Sequence, residues 1–361
     1  MAPVVNVDSV SAYYTLGAYG SQKTIRACEG VDLQIYENEI LGIAGESGCG
    51  KTTFLKVLSG MVKPPLRVVN GSVVYDVKGK RHDVYGQGNE PVRLGWDGVS
   101  YIPQGSMSVL NPVRRVAKTF EDFVQANLGN VSEAQYQQLV KDQLFTLGLP
   151  EEVLMAYPHQ LSGGMRQRVV IAVATILKPK VMYADEPSSA LDVVAQRGVI
   201  QMLKKIQKDM HNTMVLVSHD MGVHANLTDR IAIMYAGKIV EVGKTTDIFD
   251  NPQHPYTRFL IGSLPRVGDK TYRVSAPGSP PPLDDPPQGC RFHPRCPHAM
   301  DICKTVVPTL KQISDNGQNA ACHWVDQQLG LAPAGGAAGQ PATTATSGQS
   351  TGAQRSEGHD A

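Results

Sequence analysis

The segment Gly45–Thr52, GESGCGKT, spaces its glycines, lysine and threonine as G-x-x-x-x-G-K-T. It follows the apolar run EILGIAG and opens a helical pattern in which Phe54, Leu55 and Leu58 recur at helical spacing. A turn of this kind between strand and helix can cradle phosphates. Its glycines let successive backbone N–H groups point inward, and the helix N-terminus adds partial positive charge. Lys51 is expected to reach β- and γ-phosphates and Thr52 to offer its hydroxyl to Mg2+. Gly45, Glu46, Ser47, Gly48, Cys49, Gly50 and Thr53 complete the cradle. At a helix N-terminus, the Cys49 thiol is expected to have a lowered pKa and to react readily.

A second apolar run, VMYADEP, ends in Asp185 and Glu186. At a strand end two neighbouring carboxylates can diverge towards separate tasks. Asp185 is suited to hold Mg2+, through water, and Glu186 to orient and deprotonate an attacking water. His219 closes the run TMVLVSHD, where it can donate to a γ-phosphate and help position Glu186. Gln104 closes VSYIPQ, and its amide can touch both Mg2+ and the water. Ser162 is a good N-cap, and Gly163 and Gly164 expose backbone donors at a helix start, which makes a second anion site. That helix carries Val169, Ala172, Val173 and Ile176 on one face and stops before Pro179.

Residues 4–43 read as β-rich, residues from about 108 to 178 as helical, and the segment after Pro179 as strand, helix, strand. This order predicts an α/β core with a helical insertion. In 361 residues there is room for one large domain with an appendix, or for two ordinary domains. A net charge of +1 gives no basic excess for nucleic acid. The longest strongly apolar run, Val169–Leu177, is well short of the ~20 residues that cross a bilayer. The N-terminus has no secretory pattern, so the chain is expected in the cytoplasm. Composition changes near Asn251, first to a Pro-rich stretch and then to Cys290, Cys296, Cys303 and Cys322. From about Gln327 a Gly, Ala, Thr and Ser tail is expected to be disordered.

Taken in order, GESGCGKT, Gln104, LSGGMRQR (Leu161–Arg168), VMYADEP, SALD (Ser189–Asp192) and His219 resemble the ATP-binding cassette family. The resemblance covers roughly residues 4–250. It implies a P-loop NTPase core of ABC type, with an antiparallel β subdomain and an inserted α-helical subdomain at about 105–178, and a Mg2+-dependent ATPase. Within it, Ser162, Gly163 and Gly164 contact the γ-phosphate held by a second, identical or distinct, cassette. Asp192 also belongs to the nucleotide site, and Tyr14 (with Tyr13 as the rival) stacks on adenine. SVLNPVRRV, AYPHQLSGGMRQR, NPQHPYTRFLIGSLPR and CRFHPRCPHAMDIC are similar to the oligopeptide/dipeptide/nickel importer branch. That likeness implies a subunit peripheral to the cytoplasmic face of the membrane. Its companions would be two transmembrane permease subunits and an extracytoplasmic solute-binding protein. Peptides are the expected solute, with oligosaccharides or nickel as alternatives. A soluble cassette ATPase of DNA repair or translation usually carries a long coiled coil or two cassettes, neither of which is seen. Residues 251–326 form the branch's C-terminal extension. Its four cysteines, spaced C-x5-C-x6-C-x18-C, fit a [4Fe–4S] cluster, with zinc or unligated thiols as alternatives. Arg291, Arg295 and Lys304 lie close enough in sequence to offset a cluster's negative charge.

Overall fold

A computed structural model of the chain describes residues 2–17, 23–77, 79–86, 95, 98–105, 109–129, 131–189, 191–264 and 276–332. The first strands, β1 (Pro3–Leu16) and β2 (Lys23–Tyr36), bury alternate apolar residues and pair antiparallel, with Val5 opposite Ile35 and Val7 opposite Leu33. The short, wholly buried β3 (Ile40–Ala44) leads into α1 (Lys51–Leu58). Next come β4 (Leu66–Val77), β5 (Lys80–Asp83) and β6 (Val99–Ile102). The helical region holds α2 (Val116–Leu128), α3 (Glu133–Thr146) and α4 (Gly163–Thr175). A Ser132–Gln135 capping box starts α3. The chain continues through β7 (Val181–Asp185), α5 (Val193–Met210), β8 (Thr213–Val217), α6 (Met221–Leu227), β9 (Arg230–Tyr235) and β10 (Lys238–Lys244). It then passes α7 (Thr245–Asp250), α8 (Pro255–Gly262), α9 (Asp301–Thr305), β11 (Lys311–Gln312), β12 (Asn319–Ala320) and α10 (His323–Gln328).

Two sheets result. The order β2-β1-β4-β5 forms an antiparallel sheet. The larger sheet runs β11-β12-β10-β9-β3-β8-β7-β6, with β9, β3, β8, β7 and β6 parallel. Those parallel strands are apolar almost throughout because both faces are covered. On one face Ile43, Tyr183 and Val215 join α1 (Phe54, Leu55) and the antiparallel sheet (Val7, Leu33, Tyr75) in one core. On the other, Met182, Met214 and Leu216 pack with Phe120 of α2, Leu144 of α3, Ile171 of α4 and Leu203 of α5. The single apolar face expected for α4 is too modest: Val169, Val170, Ile171, Ala172, Ala174 and Thr175 are all buried, because sheet and helices surround it.

The C-terminal segment closes onto the cassette. Strand β12 pairs with β10 and extends the main sheet by a two-strand edge. Phe292 and Tyr256 share a core with Tyr235 and Ile233 of β9. These residues of the extension therefore share their core with that sheet edge. Residues 327–328 end α10, and most of the expected disordered tail, residues 333–361, lies outside the described residues. Among the described residues no helix is long and apolar enough to cross a membrane.

Candidate functional site

Four of the expected residues follow the carboxyl ends of adjacent parallel strands. Gly45 follows β3, His219 follows β8, Glu186 follows β7 and Gln104 follows β6, and these strands neighbour one another in the order β3-β8-β7-β6. The carboxyl end of a parallel sheet is where loops can converge on a ligand. Sheet order alone thus gathers segments far apart in sequence.

The Gly45–Gly50 loop is shaped by steric necessity. A Cβ on Gly50 (φ 110) would stand 2.1 Å from the Ala27 carbonyl oxygen, and one on Gly45 would stand 2.1 Å from that of Met234. Inside the loop, Lys51 Nζ donates to the carbonyls of Gly45 (2.8 Å) and Glu46 (2.9 Å), so the ammonium is held within the turn. Glu46 turns away from this cradle. Its N–H donates to the Tyr256 hydroxyl at 2.9 Å, and its carboxylate accepts from Arg295 at 2.9 and 3.2 Å. The Cys49 expectation is overturned: the residue is 4% exposed, and burial pushes the thiol pKa up despite Lys51 Nζ 3.8 Å away. Tyr14 lies beside the loop, its hydroxyl 3.1 Å from Thr53 Oγ1, whereas Tyr13 turns to Glu29 Oε1 at 3.2 Å.

Thr52 Oγ1 donates to Asp185 Oδ1 at 3.1 Å, and the Tyr101 hydroxyl donates to Oδ2 at the same distance. Asp185 is 1% exposed. Burial raises its pKa above the usual carboxylate range, while the Thr52 and Tyr101 hydroxyls pull it back and Glu186 pushes it further up. Glu186 holds a left-handed backbone (φ 46), fixed by its N–H on the Val217 carbonyl at 2.9 Å. Strain of this kind persists where surrounding structure over-determines it. Its carboxylate is flanked on both sides, by Gln104 Nε2 at 2.9 Å and His219 Nδ1 at 3.0 Å. The arrangement therefore offers a hydroxyl and a carboxylate together for a cation. A second carboxylate is aimed by an amide and an imidazole.

The Ser162–Gly164 turn stands apart. Ser162 Oγ accepts from Met165 N–H at 3.2 Å and caps α4. Among the described residues no hydrogen bond or ion pair joins this turn to the Gly45–Thr53 loop. Asp192 Oδ1 caps α5, accepting from the N–H groups of Val194 (3.0 Å) and Ala195 (2.9 Å).

The four clustered cysteines gather in the extension, and the Cys290 N–H donates to the Cys303 carbonyl at 2.8 Å. Burial pushes the Cys290 thiol up to about 12 and Cys322 to about 11; Cys296, Cys303 and Cys322 add to the rise at Cys290, and Cys296 and Cys303 to that at Cys322. A metal site is not formed as they stand: among the described residues no three of His, Cys, Asp or Glu are placed to hold a metal ion. The expected cationic screen is also redirected. Arg291 pairs with Glu29 and donates to the Ala236 carbonyl, Arg295 pairs with Glu46, and Lys304 pairs with Asp301 at 2.9 Å.

Three contributors escape sequence reasoning: Tyr101 on Asp185, and Tyr256 and Arg295 on Glu46. Tyr101 is marked only by its place one residue before the end of β6. Arg295 and Tyr256 carry no local signal for a partner more than 200 residues away.

With this geometry in place, the relatives agree on its meaning. Residues 28–189 match the ABC transporter family and residues 240–303 match the oligopeptide/dipeptide transporter C-terminal region. The chain is 40% identical over 330 residues to the dipeptide transport ATP-binding protein DppD of Caldanaerobacter subterraneus, an alignment that takes in 91% of this chain and 98% of that one. It is 35% identical to the Escherichia coli protein of the same name, covering 89% and 96%. Among solved structures, the ATP-binding cassette MJ0796, as a post-hydrolysis dimer bound to ADP and Pi, is similar with a TM-score of 0.55 at 26% identity. It covers 67% of this chain and 98% of that one.

Proposed function

The chain belongs to the ABC transporter family, as an ATP-hydrolysing import subunit of its oligopeptide/dipeptide branch, and from that premise we propose that its cargo is peptide. The match of residues 240–303 to the oligopeptide/dipeptide transporter C-terminal region supports the cargo, and a Glu186 carboxylate held between Gln104 and His219 beside the Gly45–Thr52 loop supports ATP hydrolysis. In this reading Lys51 leaves its loop carbonyls for the β- and γ-phosphates, and Tyr14 stacks on the adenine. Thr52 and Asp185, joined by a hydrogen bond of 3.1 Å, would hold Mg2+. The cation, when bound, neutralises charge on the phosphate oxygens. Glu186 Oε takes the proton of the attacking water as the water oxygen bonds to the γ-phosphorus and the bond from that phosphorus to the β–γ bridging oxygen breaks, leaving ADP and phosphate, while Gln104 and His219 fix the carboxylate's direction.

Ser162, Gly163 and Gly164 offer their donors to the γ-phosphate in the partner cassette, identical or distinct, so that two nucleotides are shared between two chains. Asp192 caps the helix beside that junction. Two membrane-spanning permease subunits and an extracytoplasmic binding protein complete the assembly, and this subunit lies on the cytoplasmic face. Reconstitution of the assembly in vesicles tests the cargo. The expected result is ATP-dependent uptake of labelled dipeptide that Glu186→Gln abolishes. Uptake of an oligosaccharide or nickel but not of peptide overturns the assignment.

For the extension, the finer reading is a [4Fe–4S] cluster held by Cys290, Cys296, Cys303 and Cys322. The reading rests on the four free thiols that the extension brings into one neighbourhood and on their C-x5-C-x6-C-x18-C spacing. Such a group would cross-link the extension and supply structural stability. Anaerobic purification with iron, sulfide and zinc analysis checks it: stoichiometric zinc without sulfide refutes the cluster.

A further inference from the structure

We propose that Arg295, with Tyr256, is a positioning residue for nucleotide binding: the cysteine-bearing extension clamps the phosphate loop through Glu46. This rests on the reading of Gly45–Thr52 as the ATP-binding loop.

Arg295 closes a short 3-10 turn, His293–Arg295, between Cys290 and Cys296. It is 7% exposed, and every polar reach of its guanidinium is committed. Nε donates to the Pro277 carbonyl at 2.7 Å, and Nη2 donates to those of Ala276 and Gly278 at 3.3 and 3.4 Å. Those bonds aim the planar fork, and its two outer nitrogens meet both oxygens of Glu46 at 2.9 and 3.2 Å. A bidentate pair fixes direction as well as distance. Tyr256, fully buried on α8, accepts the Glu46 N–H, so side chain and backbone of one loop residue are both gripped from the extension. The Phe292 ring packs edge-on against Tyr235 (5.2 Å) and beside Tyr256 (5.5 Å), which ties the two grips together.

A second strut reaches the loop's other end. Arg291 donates to the Ala236 carbonyl, and the neighbouring Gly237 N–H donates to the Cys49 carbonyl at 2.8 Å. The segment Glu46–Cys49 is therefore held at its first and last residues by groups that touch neither Lys51 nor Thr52. A buried ion pair is weak evidence for stability, because desolvation consumes most of its attraction. What it does supply is a single geometry. Phosphate binding by consecutive backbone N–H groups needs that geometry, since a small misplacement of positioned donors is costly.

The test uses the full chain and a fluorescent N-methylanthraniloyl ATP with Mg2+, measured on Arg295→Gln, Glu46→Gln and the double variant, with melting temperatures alongside. Each single variant is expected to raise Kd about tenfold, the equivalent of one charge-assisted hydrogen bond. The double variant is expected to bind no worse than either single one. In the assembled transporter, Arg295→Gln raises KM for ATP while kcat stays within about twofold. Arg295→Lys, which keeps the charge but loses the fork, stays weak. A lowered melting temperature with unchanged Kd, or additive losses in the double variant, overturns the proposal and leaves Arg295 as structural glue. Should Arg295→Gln fail to fold, Tyr256→Phe decides, because it keeps the ring and removes only the acceptor for Glu46 N–H. An unchanged Kd there is equally fatal. Failure of the unaltered chain to bind the probe would instead strike at the nucleotide-site reading itself.

Discussion

Replacing Asp185 by Asn is expected to stop ATP hydrolysis and, in the same molecule, to make the nucleotide-free fold more stable. The carboxylate is 1% exposed, and its folded-state pKa is raised because burial outweighs the hydroxyls of Thr52 and Tyr101. The sign follows from that direction. A carboxyl raised in the fold costs nothing while both states are protonated, and it drains stability as pH climbs from the ordinary Asp range through the raised value. Above the raised value the drain is complete. Asn removes it, along with repulsion from Glu186, and turns two charge-assisted bonds at 3.1 Å into neutral ones. Desolvation of a buried ion costs several kcal/mol, against roughly 1–3 kcal/mol for the weakening of two hydrogen bonds. A net gain of about 1 kcal/mol remains, or roughly 2–4 °C in Tm for a domain of this size. Differential scanning calorimetry in EDTA reads it directly. With Mg2+ and ATP the order is expected to reverse, since the unaltered chain gains ligand stabilisation that the variant lacks. An Asp185→Asn protein that melts below the unaltered chain in EDTA would show that the buried carboxylate stabilises the fold instead.

Gly50→Ala forces a Cβ to within 2.1 Å of the Ala27 carbonyl at φ 110, so binding of labelled ATP is expected to vanish and stability to fall by about 2–4 kcal/mol in urea unfolding. His224 is fully buried, and burial drags its pKa from 6.5 to about 4. Its unfolded form therefore takes up a proton first, and stability, intact above 6.5, drains by roughly 3 kcal/mol as pH falls towards 4. His224→Gln flattens part of that acid limb in pH-dependent melts, and His254, pushed to about 3, accounts for what persists. Ser162→Ala removes the α4 cap and is expected to cost about 1 kcal/mol in chemical unfolding while weakening ATP-driven cassette pairing in sedimentation.

What the sequence made legible were features governed by backbone and local order. The glycines of the loop, the strand-ending Asp185 and His219, and the Ser162 cap are each dictated within a few residues, and the parallel sheet then brings the strand ends together. Features set by tertiary burial were not legible. At Cys49 the helix terminus predicts a reactive thiol, yet the thiol is governed by its burial, which outweighs Lys51 Nζ 3.8 Å away. The β9–β10 hairpin turns through Ala236 and Gly237, both at positive φ (43 and 82), and only the glycine advertises such a turn. Arg295 lies among cysteines and reads as their counter-charge. Its carboxylate partner is 249 residues away in sequence, and only the folded sheet edge brings the two into contact.

The central claim is that one ATP is gripped by the Gly45–Thr52 loop of one cassette and the Ser162–Gly164 turn of another. Cryo-electron microscopy of the assembled transporter carrying Glu186→Gln, with Mg2+ and ATP, tests this directly. γ-Phosphate density is expected between Lys51 of one chain and Ser162, or its counterpart, of the facing one. A nucleotide enclosed by a single chain, with its own Ser162 turn supplying the second wall, would contradict it.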